Sequence, residues 1–310
     1  MPRIPYTKPA LTYSEQLQQL KGRGLIIEDD AKALFLLENI SYYRLSGYWY
    51  PLLQQPKASH LFKPNASFNL SFELYCFDRE LRKLVNAELE KIEVAIRAKI
   101  IYILAHRYGP FWVTDSHLFS DPAKYSSTLY KLTQECNRSR EDFIVAFRNN
   151  YTDPLPPSWM ILEISSFGIL SSLYQNLKSN RTKRAIANYF GLDQSTFASW
   201  LHSMVYIRNI CAHHSRLWNK TLSITPILPV NPNKLWLAVT TTADTRDGTI
   251  SSINNRTYCI LSMIIYFLQT INPHHQFKER FFALLKKYDK VDPAAMGFTP
   301  DWKSEYLWAL

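Results

Sequence analysis

Arg208, Asn209 and His213 are the residues of this chain best suited by type and spacing to do chemistry. An imidazole, with an ordinary pKa near ~6.5, takes a proton from a ribose 2′-hydroxyl, and a guanidinium holds a phosphate by paired hydrogen bonds as negative charge builds on it. That combination suits RNA cleavage without a metal: the 2′-oxygen attacks its own phosphate in line and leaves a 2′,3′-cyclic phosphate and a 5′-hydroxyl. A protonated imidazole serves the leaving oxygen. DNA lacks the 2′-hydroxyl and is not cut this way. His214 and Arg216 follow directly, and Arg44 and Arg97 are further candidates to support the site or bind RNA.

The pattern Arg-x4-His is weak alone, since the Arg and His content of the chain supplies about 0.4 matches by chance and one occurs. Its place near the end of an amphipathic helix adds weight. On a helix, Asn209 and His213 are i, i+4 neighbours, so Asn209 is positioned to orient the imidazole, whereas Arg208 and His213 diverge by about 140°. Arg208 and His213 therefore meet on one phosphate only if the helix distorts near His213 or if two copies of the motif face each other across a two-fold axis. The alternative is structural: Arg208 as a buried ion-pair partner of Glu163 or Glu93, and His213 as a cation at a helix C-terminus. Adjacent His213 and His214 point apart and have no partners at metal-ligand spacing.

The elements around the motif are helical. Thr12-x-x-Glu15 reads as a capping box, closed by Gly22 and Gly24, and Glu28, Asp29 and Asp30 begin a second helix through Asn39. Ser41 to Tyr50, with five aromatic residues around Arg44, is expected to pack as a lid or brace. Apolar steps of three and four from Ser71 to about Arg107 mark a long helix ended by Gly109-Pro110, with Glu93 and Arg97 at ion-pair spacing. Helices are expected near 126–135 and 140–149, and a buried one over 158–168 would leave Glu163 needing an Arg or a helix terminus. A basic helix over about 182–190 stops at Gly191, and Asp193 or Ser195 caps the helix that carries the motif. Leu235 to Thr240 reads as a short strand, and helices resume at about 253–271 and 276–288 before an aromatic tail ending at Leu310.

Composition agrees with an all-α fold: 46% apolar residues supply a core, and 8 Gly against 17 Pro leave few flexible hinges. The formal charge of +10 favours a polyanionic partner. Cys76, Cys136, Cys211 and Cys259 are scattered singly, without a disulfide or zinc pattern, and no cofactor motif is present. The N-terminus lacks the apolar core of a signal peptide, and no run of eighteen uncharged apolar residues occurs, so the expected location is cytoplasmic with no membrane association.

The chain resembles the Abi-like proteins, the abortive-infection group of bacterial phage-defence factors within the HEPN superfamily of helical ribonucleases. The resemblance rests on Leu25-Ile-Ile, Tyr42 to Tyr50, Phe77 to Arg82, Ile92 to Arg97, Tyr108 to Trp112, Pro157-Ser-Trp159, Ser166-Phe-Gly168, Arg208 to His214 with Arg216-Leu-Trp-Asn219, and Met296-Gly-Phe298, nearly the whole chain. It implies a HEPN-like helical bundle with additional N- and C-terminal helices, arranged as one domain over 1–310: an N-terminal hairpin and aromatic segment at 1–55, a core at 71–290 and a tail at 291–310. It also implies homodimerisation that joins two Arg-x4-His motifs, metal-independent endoribonuclease activity through Arg208 and His213, and a toxin-like role held in check by an antitoxin or an inhibitory RNA or protein. The alternative reading is a non-catalytic RNA-binding or protein-interaction module on the same scaffold, with Tyr43, Tyr48 and Trp49 among its contacts.

Overall fold

The computed structural model describes residues 5–244 and 248–309, so Leu310 at the end of the expected tail lies outside the described residues. The chain forms two compact units: Met1–Leu81 with Ala283–Asp292, and Arg82–Phe282 with Pro293–Leu310.

In the first unit, α1 (Tyr13–Gly22) opens on Thr12 with the capping box to Glu15 complete, and α2 (Asp30–Ile40) opens on Asp29, whose carboxylate accepts from the Lys32 amide. The segment expected as a lid is a regular helix, α3 (Tyr42–Trp49). Its Leu45 and Trp49 join Leu17, Leu20, Leu36 and Leu37 in one apolar core. Tyr48 is buried and donates to the buried Asp78 at 2.6 Å. Tyr48 and Trp49 are therefore core residues rather than surface contacts, while Tyr43 is 88% exposed. The long helix α4 (Phe68–Tyr108) begins in this unit, where Glu80 accepts from Lys287 and from the Tyr288 hydroxyl at 2.7 and 2.8 Å.

In the second unit, α4 continues to Tyr108 and ends on Gly109 at φ +86°. Then follow α5 (Pro122–Arg138), α6 (Asp142–Asn150) and the single turn α7 (Ser158–Ile161). The helix expected over 158–168 is broken: α7 stops at Ile161, and α8 (Phe167–Asn176) starts afresh on Ser166, whose hydroxyl accepts from the Ile169 amide. The break puts Glu163 in a turn, where it is exposed rather than buried. Next come α9 (Arg181–Tyr189) and α10 (Gln194–Ala212).

The expected strand at 235–240 does not form; Leu235 and Val239 face solvent. Pairing begins one residue later, where β1 (Thr241–Ala243) meets β2 (Ile250–Ser252) antiparallel with Thr242 opposite Ser251. The core centres on α11 (Thr257–Ile271), buried from Thr257 to Leu268, against which Phe197 and Trp200 of α10 pack through Phe267 and Tyr266. After α12 (Phe277–Lys287), the tail folds back: Phe298, Trp302 and Trp308 surround Phe281, and the Trp308 indole donates to the Ser262 hydroxyl at 2.9 Å. Among the described residues no helix is long and apolar enough to cross a membrane.

Candidate active site at the end of α10

Two devices set the direction of α10. At its start, the Asp193 carboxylate accepts from the amides of Ser195 and Thr196. Burial pushes this carboxyl up, but the hydrogen bonds from Ser195 and Thr196 outweigh it and hold the pKa at about 2. Along its length, α10 lies antiparallel to α8, with Tyr174 against Phe197 and Gly168 beside Val205. That register carries Arg208 level with the turn that precedes α8.

The chain then returns along α10. Ser223 donates to the Tyr206 hydroxyl at 3.0 Å, the Ile227 amide to the Ser199 hydroxyl at 2.9 Å, and the Trp200 indole to the Ile227 carbonyl at 2.8 Å. Thr257 ties the Leu217 carbonyl to the start of α11 at 2.9 Å. Leu217, Trp218 and Asn219 are buried, so this part of the motif anchors the return.

The reversal takes place at His213–Ser215. The Ser215 amide bonds to the Ile210 carbonyl at 2.9 Å and the His214 amide to the Cys211 carbonyl at 3.1 Å, with His214 left-handed at φ +55°. This is the 6→1 and 5→2 pattern of a Schellman cap, with a histidine where glycine is usual. Histidine is one of the few other residues enriched in that conformation. The bend begins only at His214. The His213 amide still donates to the Asn209 carbonyl at 2.9 Å in the regular i to i−4 manner, so His213 stays on the helical path.

Asn209 and His213 are exposed on one face, and neither side chain hydrogen-bonds to another described residue. Arg208 is half-buried, its Nε sealed from solvent without a partner, and its guanidinium forms no ion pair among the described residues. The carboxylates offered as its partners belong to Arg97, which donates to Glu93 at 2.7 Å and stands 3.8 Å from Glu163. Arg97 also donates to the Ser165 carbonyl at 3.1 Å. It is a buried cation engaged within the fold, so of the two expected places, supporting the site or binding RNA, its burial suits support. Arg44 is exposed on α3 of the first unit, His214 is the exposed left-handed residue of the cap itself, and Arg216, half-buried, follows the cap.

Tyr206 was not among the sequence candidates, although it precedes Asn209 and His213 by three and seven residues and so shares their face. Lys220 lies 6.0 Å over its ring. Spacing alone could have found Tyr206; the Lys220 contact depends on the returning chain.

The structure thus defines a mostly helical protein that displays, at one helix end, an exposed histidine and an arginine without an ion pair among the described residues. The chain belongs to the Abi-like protein family, which matches residues 35–219, from α2 to the buried Asn219. The resemblant blocks at Leu25–Ile27 and Met296–Phe298 fall outside that span, so the match is shorter than the near-whole-chain likeness expected. No curated protein and no solved structure matches the chain.

Proposed function

We propose that this protein is a HEPN-type endoribonuclease that cuts RNA without a metal and serves as a toxin-like effector in phage defence. Membership of the Abi-like family supports the defence role. The chemistry rests on one observation: Arg208 is a half-buried cation with no carboxylate partner among the described residues, on the same helix end as an exposed Asn209 and His213. An unpaired, partly desolvated guanidinium is poised for an incoming anion.

In this reading Arg208 stabilises charge on the phosphate, and His213 removes the 2′-hydroxyl proton and protonates the 5′-oxygen as it leaves. Because His213 keeps its helical position, about 140° around the axis from Arg208, the site is completed by a second copy, Arg208 of one chain acting with His213 of the other. Asn209 lines the same cleft and bonds RNA or the facing chain. Cytoplasmic RNA is the substrate, and a neutralising partner restrains the enzyme in uninfected cells.

The test is incubation of purified protein with RNA in EDTA. Cleavage leaving 2′,3′-cyclic phosphate and 5′-hydroxyl ends, lost in His213→Ala, is expected. Equal behaviour of wild type and His213→Ala across many RNAs would remove the assignment.

A further inference from the structure

We propose that the surface formed by the second half of α4 and by α9 is a platform for single-stranded RNA, built from residues other than the Arg208 motif. It rests on the function proposed above only for the choice of RNA among polyanions.

The charge distribution comes first. No Asp or Glu occurs at 94–114 or 164–192, while these stretches hold seven Lys or Arg. The fold joins them: Lys99 Nζ stands 3.5 Å from the Tyr189 ring centroid, and the Tyr108 hydroxyl lies 3.2 Å from Thr182 Oγ1 and accepts from Asn180 at 3.3 Å. Two of the seven cations are used internally, Arg97 by Glu93 and Lys183 by the carbonyls of Gln175 and Leu177. Arg107, Lys178, Arg181 and Arg184 are exposed and form no ion pair among the described residues.

On the same surface one cation, Lys99, stands between two tyrosine rings. Lys99 sits over Tyr189 and, at 5.8 Å, over Tyr102, whose ring centroid is 4.1 Å from that of His106. Tyr102 is 58% and Tyr189 45% exposed. Exposed rings amid unpaired cations fit a strand with free bases, which stack on the rings while its phosphates meet the Arg and Lys side chains. A duplex keeps its bases stacked within itself and offers the rings nothing. A purely electrostatic partner, such as an anionic bilayer, would make no use of the rings.

The test uses full-length protein in a His213→Ala background, which keeps RNA intact, and reads fluorescence anisotropy of a labelled 20-nucleotide unstructured RNA, alone and annealed to its complement. Tyr102→Ala is expected to weaken single-strand binding about 5- to 100-fold, with Tyr102→Phe close to the parent. Arg181→Ala with Arg184→Ala should reduce the slope of log affinity against log salt by about 1.4. All three side chains are exposed, and circular dichroism checks that the variants fold. Unchanged binding in Tyr102→Ala, or equal binding of the duplex, overturns the platform. So does retention on phosphatidylglycerol vesicles through these residues without RNA binding. Failure of the nuclease reading is distinct: wild type would then bind RNA through Tyr102 yet cut none. Conversely, cleavage with an unaltered KM in Tyr102→Ala sinks the platform and leaves the nuclease standing.

Discussion

The His213 amide donates to the Asn209 carbonyl at 2.9 Å, and this one main-chain bond holds the imidazole about 140° around α10 from Arg208. The Schellman turn begins one residue too late to swing His213 toward the arginine. Each chain thus displays the two halves of the proposed phosphate-cleaving pair on different sides of one helix end.

Arg208 and Arg97 should separate function from stability. Arg208→Ala removes no ion pair found among the described residues, so its thermal midpoint is expected to stay within a degree or two of wild type while RNA cleavage falls about 100- to 1000-fold. Arg97→Ala strips Glu93 and the Ser165 carbonyl of their shared donor and should cost about 3 kcal/mol in urea unfolding. Equal destabilisation by the two variants would contradict the assignment.

The Asp193 cap has a pH signature. Its carboxyl is held at about 2 in the folded chain, below the ordinary value of 3.8. The stabilisation is therefore complete above the ordinary value and is lost as pH falls from there through the folded pKa. Asp193→Ala should cost about 1 kcal/mol at pH 7. The gap to wild type should narrow below pH ~4, measured by chemical denaturation at each pH.

Lys234 titrates in the opposite regime. Burial lowers its pKa to about 8, where it donates to the Tyr266 carbonyl at 3.3 Å and to the Thr270 hydroxyl. Between that value and the unfolded value near ~10.4 the unfolded chain binds more protons, so stability rises with pH; below the folded pKa the penalty of the buried charge is present in full. The difference in thermal midpoint between wild type and Lys234→Met should move in favour of wild type as pH is raised from about 7.5 to 9.5. A difference independent of pH would show that Lys234 is not buried as described.

Gly297 explains the Met-Gly-Phe block near the C-terminus. It adopts φ +89°, and a Cβ there would stand 2.4 Å from the Cβ of Arg256. Arg256 is fixed by Asp244 at 3.0 Å and by the Ala295 carbonyl at 2.7 Å, so it cannot yield cheaply. Gly297→Ala is expected to cost about 3 kcal/mol or more in the same unfolding assay, from backbone strain plus overpacking.

Much of this was legible from local signals. The Thr12 capping box, the Asp193 cap, the Gly109 stop and the Glu93–Arg97 pair are short-range and appear where the sequence puts them. The break between α7 and α8 was not legible, because a continuous apolar run hides the fresh cap at Ser166. Nor was the aromatic segment at 42–49, whose density suggests a lid but whose Leu45 and Trp49 spacing serves a helix buried on one face. At the site, residue types and helical angles were readable. That Arg208 has no carboxylate among the described residues was not, since it depends on Arg97 taking both candidates.

The most direct test of the two-chain site is complementation. Arg208→Ala and His213→Ala chains carrying different tags are co-expressed, and the mixed dimer is isolated through both tags. Each variant alone should be inactive, while the mixed dimer retains one intact site of two and should recover about half of the wild-type cleavage rate per dimer. A mixed dimer as inactive as its parents, beside an active wild type, would mean that Arg208 and His213 act within one chain and would contradict the account.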